Sequence, residues 1–130
     1  IQESAENYLE TILMLGKEKG NVRSIDIATA LSFSKPSVSV AMKNLRENGY
    51  ILMDKDGYIA LTEKGHEIAE TIYERHTLLS SFLMYLGVSR ETATQDACRI
   101  EHVISPESFE ALKQHVYSHK EIMDLNDVKM

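Results

Sequence analysis

The chain has 130 residues, 43% of them hydrophobic and 26% charged, with a net charge of −6 at neutral pH. That length suits one domain, or a small domain with a helical appendage, and the apolar content is sufficient for a real core. A single cysteine excludes an internal disulfide, and no apolar run approaches the roughly 18 residues of a membrane helix, so a reducing cytoplasm is the expected compartment.

The acidic total argues against a nucleic-acid partner, but its distribution says more than its sum. Residues 23–57 hold Arg23, Lys35, Lys43, Arg46 and Lys55 against Asp26, Glu47, Asp54 and Asp56, a net of +1, while the remainder carries −7. One relatively basic segment sits in an acidic chain, which permits DNA binding without establishing it.

Residues 4–18 read as a helix, with Ser4 as its N-cap and Tyr8, Ile12 and Leu15 on one face. Asn7 and Glu10 lie at i, i+3 on its edge. Ser24 is expected to cap a short helix, SIDIATAL, followed by a turn around Phe33–Ser34. A second helix, KPSVSVAMKNLREN, opens with Pro36 in its first turn and stops at Gly49. Val38, Met42 and Leu45 form its apolar face; Ser37, Ser39, Lys43 and Arg46 stay polar. Two helices joined by a tight turn in this way make a helix-turn-helix.

The runs Tyr50–Met53 and Tyr58–Leu61 flank Lys55-Asp56-Gly57, a hairpin signal. A hairpin after a helix-turn-helix is a wing, so residues 1–62 are expected to form a winged-helix DNA-binding domain. The start of its second helix should enter the major groove. Ser34, Ser37 and Ser39 can donate to phosphates or base edges, Lys35 and Lys43 can neutralise phosphates, Pro36 sets the helix start, and Lys55 in the wing adds a backbone or minor-groove contact. No Arg or Gln stands at that helix start, so shape readout is expected to carry more of the specificity.

Thr62 should cap a long helix reaching about residue 85, with Ile68, Ile72, Leu79 and Leu83 inward and His76 on the same stripe. Gly87–Ser89 breaks the chain, and Ser89 or Arg90 opens the helix bearing ACRIEHVIS. At about 100° per residue, Ala93, Ala97, Ile100 and Ile104 form an apolar stripe. Cys98, Glu101 and His102, at i, i+3 and i+4, share a second stripe roughly 130° away. They read either as a metal grip or as an inert thiol beside a solvated pair. Ser105-Pro106 restarts a helix whose buried face is Phe109, Leu112 and Val116, and the tail from about 119 has little pattern. His66, His115 and His119 read as surface residues. If the long helix packs beside the first helix and the one after it, Asn7, Glu10, His76, Cys98, Glu101 and His102 meet as six potential ligands.

The order of winged helix, long helix with RHTLL, and DACRIEHVIS resembles the diphtheria-toxin-repressor family of metal-dependent transcriptional regulators, including its manganese-sensing branch. The resemblance runs over essentially the whole chain. Its most specific parts are ENYLETI (6–12), SKPSVS (34–39), LTEKG (61–65), RH (75–76) and ACRIEHVIS. It implies a mainly α protein: a winged helix-turn-helix over 1–62, then a helical metal-binding and dimerisation domain over 63–130, in a short form without an SH3-like third domain. It further implies a homodimer that binds a double-stranded operator when loaded with metal and represses metal-uptake genes.

By the same resemblance, His76, Glu101 and His102 match ligands of the family. Cys98 matches the iron branch, Glu10 the manganese branch, and Asn7 stands where those branches use Asp or Met. Thr94 and Ser80 occupy positions where the iron branch places ancillary ligands, a departure that weighs against a second site of that kind. Thiolate favours Fe(II), Co(II) or Zn(II), whereas Mn(II) prefers oxygen. Fe(II) is therefore favoured, Mn(II) next, with Zn(II) and Co(II) also compatible. One competing reading is a winged-helix regulator that senses a small organic ligand without metal. A metallo-enzyme is the other, and no HExxH or similar motif supports it.

Overall fold

The structure, a computed structural model, describes residues 2–119 and 122. Six helices and one hairpin follow in the order α1 (Glu3–Lys19), α2 (Ser24–Leu31), α3 (Lys35–Glu47), β1 (Ile51–Met53), β2 (Ile59–Leu61), α4 (Glu63–Tyr85), α5 (Arg90–Ile100) and α6 (Pro106–Tyr117). The chain divides into two compact units, residues 1–71 and 72–130, and the boundary falls inside α4. The mainly α winged-helix architecture expected from the sequence is what forms. Among the described residues no helix is long and apolar enough to cross a membrane.

In the first unit, α1 starts one residue before Ser4, with Gln2 at the cap position. Its buried apolar face is Leu9, Ile12 and Leu13, at i, i+3 and i+4, whereas Tyr8 and Leu15 are half-buried. Ser24 is likewise the first residue of α2 and not its cap. Arg23 holds the cap position, and its backbone N–H donates to the Asp26 carboxylate at 2.8 Å. The turn after α2 puts Ser32 in the left-handed region (φ 57°), and Phe33 N–H donates to Ala28 C=O at 3.0 Å.

Helix α3 starts as its sequence dictates. Ser34 Oγ accepts Ser37 N–H at 3.3 Å, and Pro36 fills a first-turn position whose N–H has no helical partner. Val38, Met42 and Leu45 are buried, each burial stabilising by about 1.5–3 kcal/mol. The hairpin pairs Ile51 with Leu61, Leu52 with Ala60 and Met53 with Ile59. Asp54 Oδ1 accepts the N–H groups of Asp56 and Tyr58, both at 2.9 Å, and Gly57 takes φ 85°, so the turn closes on its own side chain.

Helix α4 is tied to the wing's base. Thr62 Oγ1 accepts Gly65 N–H at 3.1 Å and donates to Gly49 C=O at 2.7 Å. A Cβ at residue 65 would stand 2.0 Å from the Tyr50 carbonyl oxygen, so only glycine lets the helix approach that closely.

In the second unit, Leu78, Phe109, Val116 and Ile122 form a core cluster, with Phe82, Ile104 and Leu112 packed against it. The inward stripe of α4 is broader than the spacing suggested. Leu78, Leu79, Ser80 and Ser81 are all buried, while Leu83 is half-buried. Ser89 caps α5 and Ser105 caps α6, each accepting the N–H three residues on. The sequence tail, apart from His119 and Ile122, lies outside the described residues.

Candidate metal centre and DNA-facing surface

The ACRIEHVIS segment is not one continuous helix. Helix α5 ends at Ile100; Glu101 is its C-cap, and His102 follows in a turn through Ile104. Glu101 still has helical dihedrals (φ −58°, ψ −26°) and its N–H donates to Ala97 C=O at 3.0 Å, so it keeps its place one turn from Cys98. The expectation of one helical stripe is corrected for His102, which lies in the turn that ends the helix. Ala93 and Ala97 are fully buried as expected, while Ile100 and Ile104 are half-buried.

The donors nevertheless converge within the second unit. His76 Nδ1 lies 3.0 Å from Glu101 Oε2 and 3.8 Å from Cys98 Sγ. One donor atom from each of these three residues lies within 4.8 Å of the others. His102 Nε2 is 3.3 Å from the second oxygen, Glu101 Oε1. That pair is close enough for an ion pair but lacks hydrogen-bond alignment, so Oε1 is a fully buried carboxylate oxygen with no hydrogen-bond partner. The His76 side chain is 16% exposed and that of Glu101 0%.

Electrostatics follow from this crowding. Burial pushes the His76 pKa down, but hydrogen bonds to Cys98 and to the Glu101 carboxylate outweigh it and leave it raised to about 10. The proton on His76 thus supplies the positive charge that a buried carboxylate requires. A divalent cation would supply more, and the orphaned Glu101 Oε1 is a ready acceptor for one. The set of imidazole, thiol and carboxylate oxygen fits a transition-metal ion.

The remaining expected ligands belong to the first unit. Glu10 is 4% exposed and Asn7 is half-buried, its carbonyl accepting Thr11 Oγ1 at 2.8 Å. His66 is exposed and paired with Glu70 at 3.4 Å, in keeping with a surface role. His115 and His119 stack on each other at 4.6 Å. Of the residues named as ancillary positions, Ser80 is buried, with its hydroxyl donating to Thr77 C=O at 3.2 Å, and Thr94 is half-buried.

One neighbour was not singled out from sequence. Arg75, next to His76, donates from Nη1 to the carbonyls of Glu101 (3.1 Å) and Ile104 (3.0 Å) and lies 5.3 Å from the centre of the Phe109 ring. Only its place in the RH pair hinted at it; the turn it serves is invisible until α5 is seen to stop.

On the first unit, Ser34, Lys35, Pro36, Ser37, Ser39, Lys43 and Lys55 are all exposed. Ser34 is partly committed, since its hydroxyl also donates to Ser37 Oγ at 2.8 Å. Lys35 and Ser39 line a groove of about 190 Å³ with Ser24 and Ile25 of α2. Val40, opposite the buried face of α3, is 60% exposed and was not singled out from the sequence.

Comparison with known proteins agrees with both halves. Residues 1–59 match the family model for the N-terminal DNA-binding domain of iron-dependent repressors, and residues 62–121 match that for their metal-binding and dimerisation domain. The chain is 36% identical over 118 residues to the transcriptional regulator MntR of Escherichia coli O6:H1, covering 91% of this chain and 76% of that protein. It is 38% identical over 109 residues to the HTH-type transcriptional regulator MntR of Bacillus subtilis strain 168, covering 84% and 77%. The solved structure of the manganese regulator SloR superposes with a TM-score of 0.77 at 31% identity, over 87% of this chain. The chain spans about half of that structure's length, 53%.

Proposed function

This chain belongs to the diphtheria-toxin-repressor, or iron-dependent repressor, family of metal-dependent transcriptional regulators, and on that premise we propose that it is a cytoplasmic homodimeric repressor of metal-uptake genes, activated by Fe(II) or Mn(II). We read residues 1–62 as the DNA-binding domain and 63–130 as the metal-binding and dimerisation domain. The observation that carries the reading is the buried Glu101 carboxylate, with one oxygen on His76 Nδ1, the other without a hydrogen bond, and the Cys98 thiol alongside.

His76, Cys98, Glu101 and His102 are the proposed ligands, joined by Glu10 and Asn7 on the strength of the sequence resemblance. The thiol favours Fe(II) over Mn(II), with Zn(II) and Co(II) as compatible competitors. A bound metal supplies positive charge and fixed ligand geometry. To ligate, His76 and Cys98 would each give up a proton, and Glu101 and His102 would be held to a single arrangement. Restricting these residues would lower the conformational cost of presenting two reading heads to DNA.

In the first unit, Lys35, Lys43 and Lys55 meet phosphates, Ser37 and Ser39 donate to phosphates or base edges, and Ser34 and Pro36 fix the helix that carries them. Exposed Leu86 (61%) and Val103 (73%) offer apolar surface for a second copy. The deciding experiment is operator binding by fluorescence anisotropy at fixed salt, with metal and with chelator. Affinity that rises with Fe(II) or Mn(II) and falls on chelation is expected. Equal affinity in both conditions would sink the coupling and favour an organic effector.

A further inference from the structure

The geometry points to Arg75 as the residue that holds the ligand-bearing turn, Glu101–Ile104, in its metal-binding form. The inference rests on the proposed reading of Glu101 and His102 as ligands. Both stand beyond the last turn of α5, where main-chain carbonyls have no helical partner. Arg75 Nη1 takes two of these carbonyls, Glu101 at 3.1 Å and Ile104 at 3.0 Å, which bracket His102 and Val103. The first and last residues of the turn are thus fastened to one nitrogen.

That nitrogen is well anchored. Arg75 immediately precedes His76 on α4, so the same helical turn that presents the imidazole also presents the clamp. Its guanidinium rests against Phe109 of α6, and its Nε is buried without an acceptor. The desolvation this entails is offset at Nη1 by two charge-assisted bonds, and by the positive charge lying at the negative end of α5.

The clamp differs from the other ties of this segment to α4. His76 bonds Glu101 and Cys98 with the side chains proposed to bind metal, so those bonds change when an ion enters. The Arg75 bonds run to main-chain carbonyls, which are not among the proposed metal ligands, so an incoming ion does not compete for them. Arg75 is therefore a positioning residue: it keeps Glu101 and His102 near His76 before a cation arrives.

The test uses the full chain with Co(II) as probe and compares Arg75→Met with Arg75→Lys. Methionine keeps length and apolar packing but makes neither bond; a lysine ammonium can still donate to both carbonyls. The methionine variant should keep the parent's far-ultraviolet circular dichroism yet bind Co(II) about 10- to 100-fold more weakly, the usual scale for groups that orient metal ligands. At saturation its thiolate charge-transfer band should remain, because Cys98 sits inside α5, while the visible ligand-field bands shift. Lysine should recover most of the affinity. If methionine prevents folding, hydrogen exchange on Arg75→Gln, whose shorter side chain cannot span both carbonyls, decides: amides 101–104 should exchange faster than in the parent, with α4 and α5 unchanged. Parent affinity and parent spectrum in a folded Arg75→Met, or parent-like exchange in Arg75→Gln, overturns the inference. A parent chain that binds no Co(II) overturns the metal-site reading beneath it instead.

Discussion

Replacing Glu101 by glutamine tests the charge balance of the metal-free site. His76 is raised from 6.5 to about 10, against the effect of its burial, by its hydrogen bonds to Cys98 and Glu101. A folded pKa above the unfolded one gives stability that is complete below pH 6.5 and is lost as pH climbs through about 10. At about 1.4 kcal/mol per unit, the whole effect is worth up to about 5 kcal/mol. Glutamine keeps the shape of the carboxylate but removes its charge from His76, leaving only the Cys98 contribution against desolvation. The variant should lose roughly 2 kcal/mol near pH 7, the scale of one hydrogen bond to a charged group. Its stability should also decline less steeply between pH 7 and 10. Urea unfolding with chelator present, repeated across that range, measures both quantities. Identical pH slopes for parent and Glu101→Gln would refute the reasoning, as would a metal-free parent whose stability is flat from pH 7 to 10.

Cys98→Ala should weaken Fe(II), Co(II) and Zn(II) binding more than Mn(II) binding, and Cys98→Glu should shift preference toward Mn(II). A Co(II) complex of the parent without a thiolate charge-transfer band would show that Cys98 is not a ligand. Gly65→Ala places a methyl group 2.0 Å from the Tyr50 carbonyl oxygen, a backbone atom, and should cost about 1–3 kcal/mol in thermal or denaturant unfolding. An unchanged midpoint would mean that the start of α4 is looser than its contacts indicate. Val40 presents an apolar side chain, 60% exposed, on the helix proposed to enter the major groove, where such a side chain could meet a thymine methyl group. Val40→Asn should change the preferred base at one operator position by about 1–3 kcal/mol, with the salt dependence intact because no phosphate contact is lost. Unaltered base preference in a selection from randomised operators would exclude Val40 from readout.

The sequence was most legible where local rules act alone. The helix starts at Pro36, at Ser89 or Arg90 and at Ser105-Pro106, the hairpin turn and the apolar face of α3 each follow from a few neighbouring residues, and each forms as read. Ser4 and Ser24 misled because a serine near a helix start need not be its cap; Asp26, folding back on Arg23 N–H, does the capping work for α2. The broad burial of Leu78 through Ser81 was hidden because α4 is enclosed on more than one side, which erases the one-face periodicity that sequence reading depends on. The candidate site was legible in its residue types but not in its backbone. Spacing of i, i+3 and i+4 is as compatible with a helix end as with a helix interior, and the turn after α5 is bonded by a side chain 29 residues before Ile104.

The end of α5 sets out this chemistry. Glu101, the C-cap, keeps helical dihedrals and donates its N–H to Ala97 C=O at 3.0 Å, so it holds its helical position one turn from Cys98. Its carboxylate is fully buried against His76, while Cys98 remains exposed on the helix beside it. Burial makes the carboxylate demand a cation, and in the metal-free protein a proton on His76 answers that demand. An incoming metal must displace this proton, so its apparent affinity is set by a competition and should climb by about tenfold per pH unit for each proton released, up to about pH 10. The same arrangement keeps the empty site from being a bare cluster of negative charge, which would bind any available cation and sense none. Isothermal titration of Mn(II) into Cys98→Ala, which removes the thiol proton from the count, in two buffers of different ionisation enthalpy would count the protons His76 releases near pH 7.5. Zero protons would mean that His76 is already neutral, and the competition proposed here would not exist.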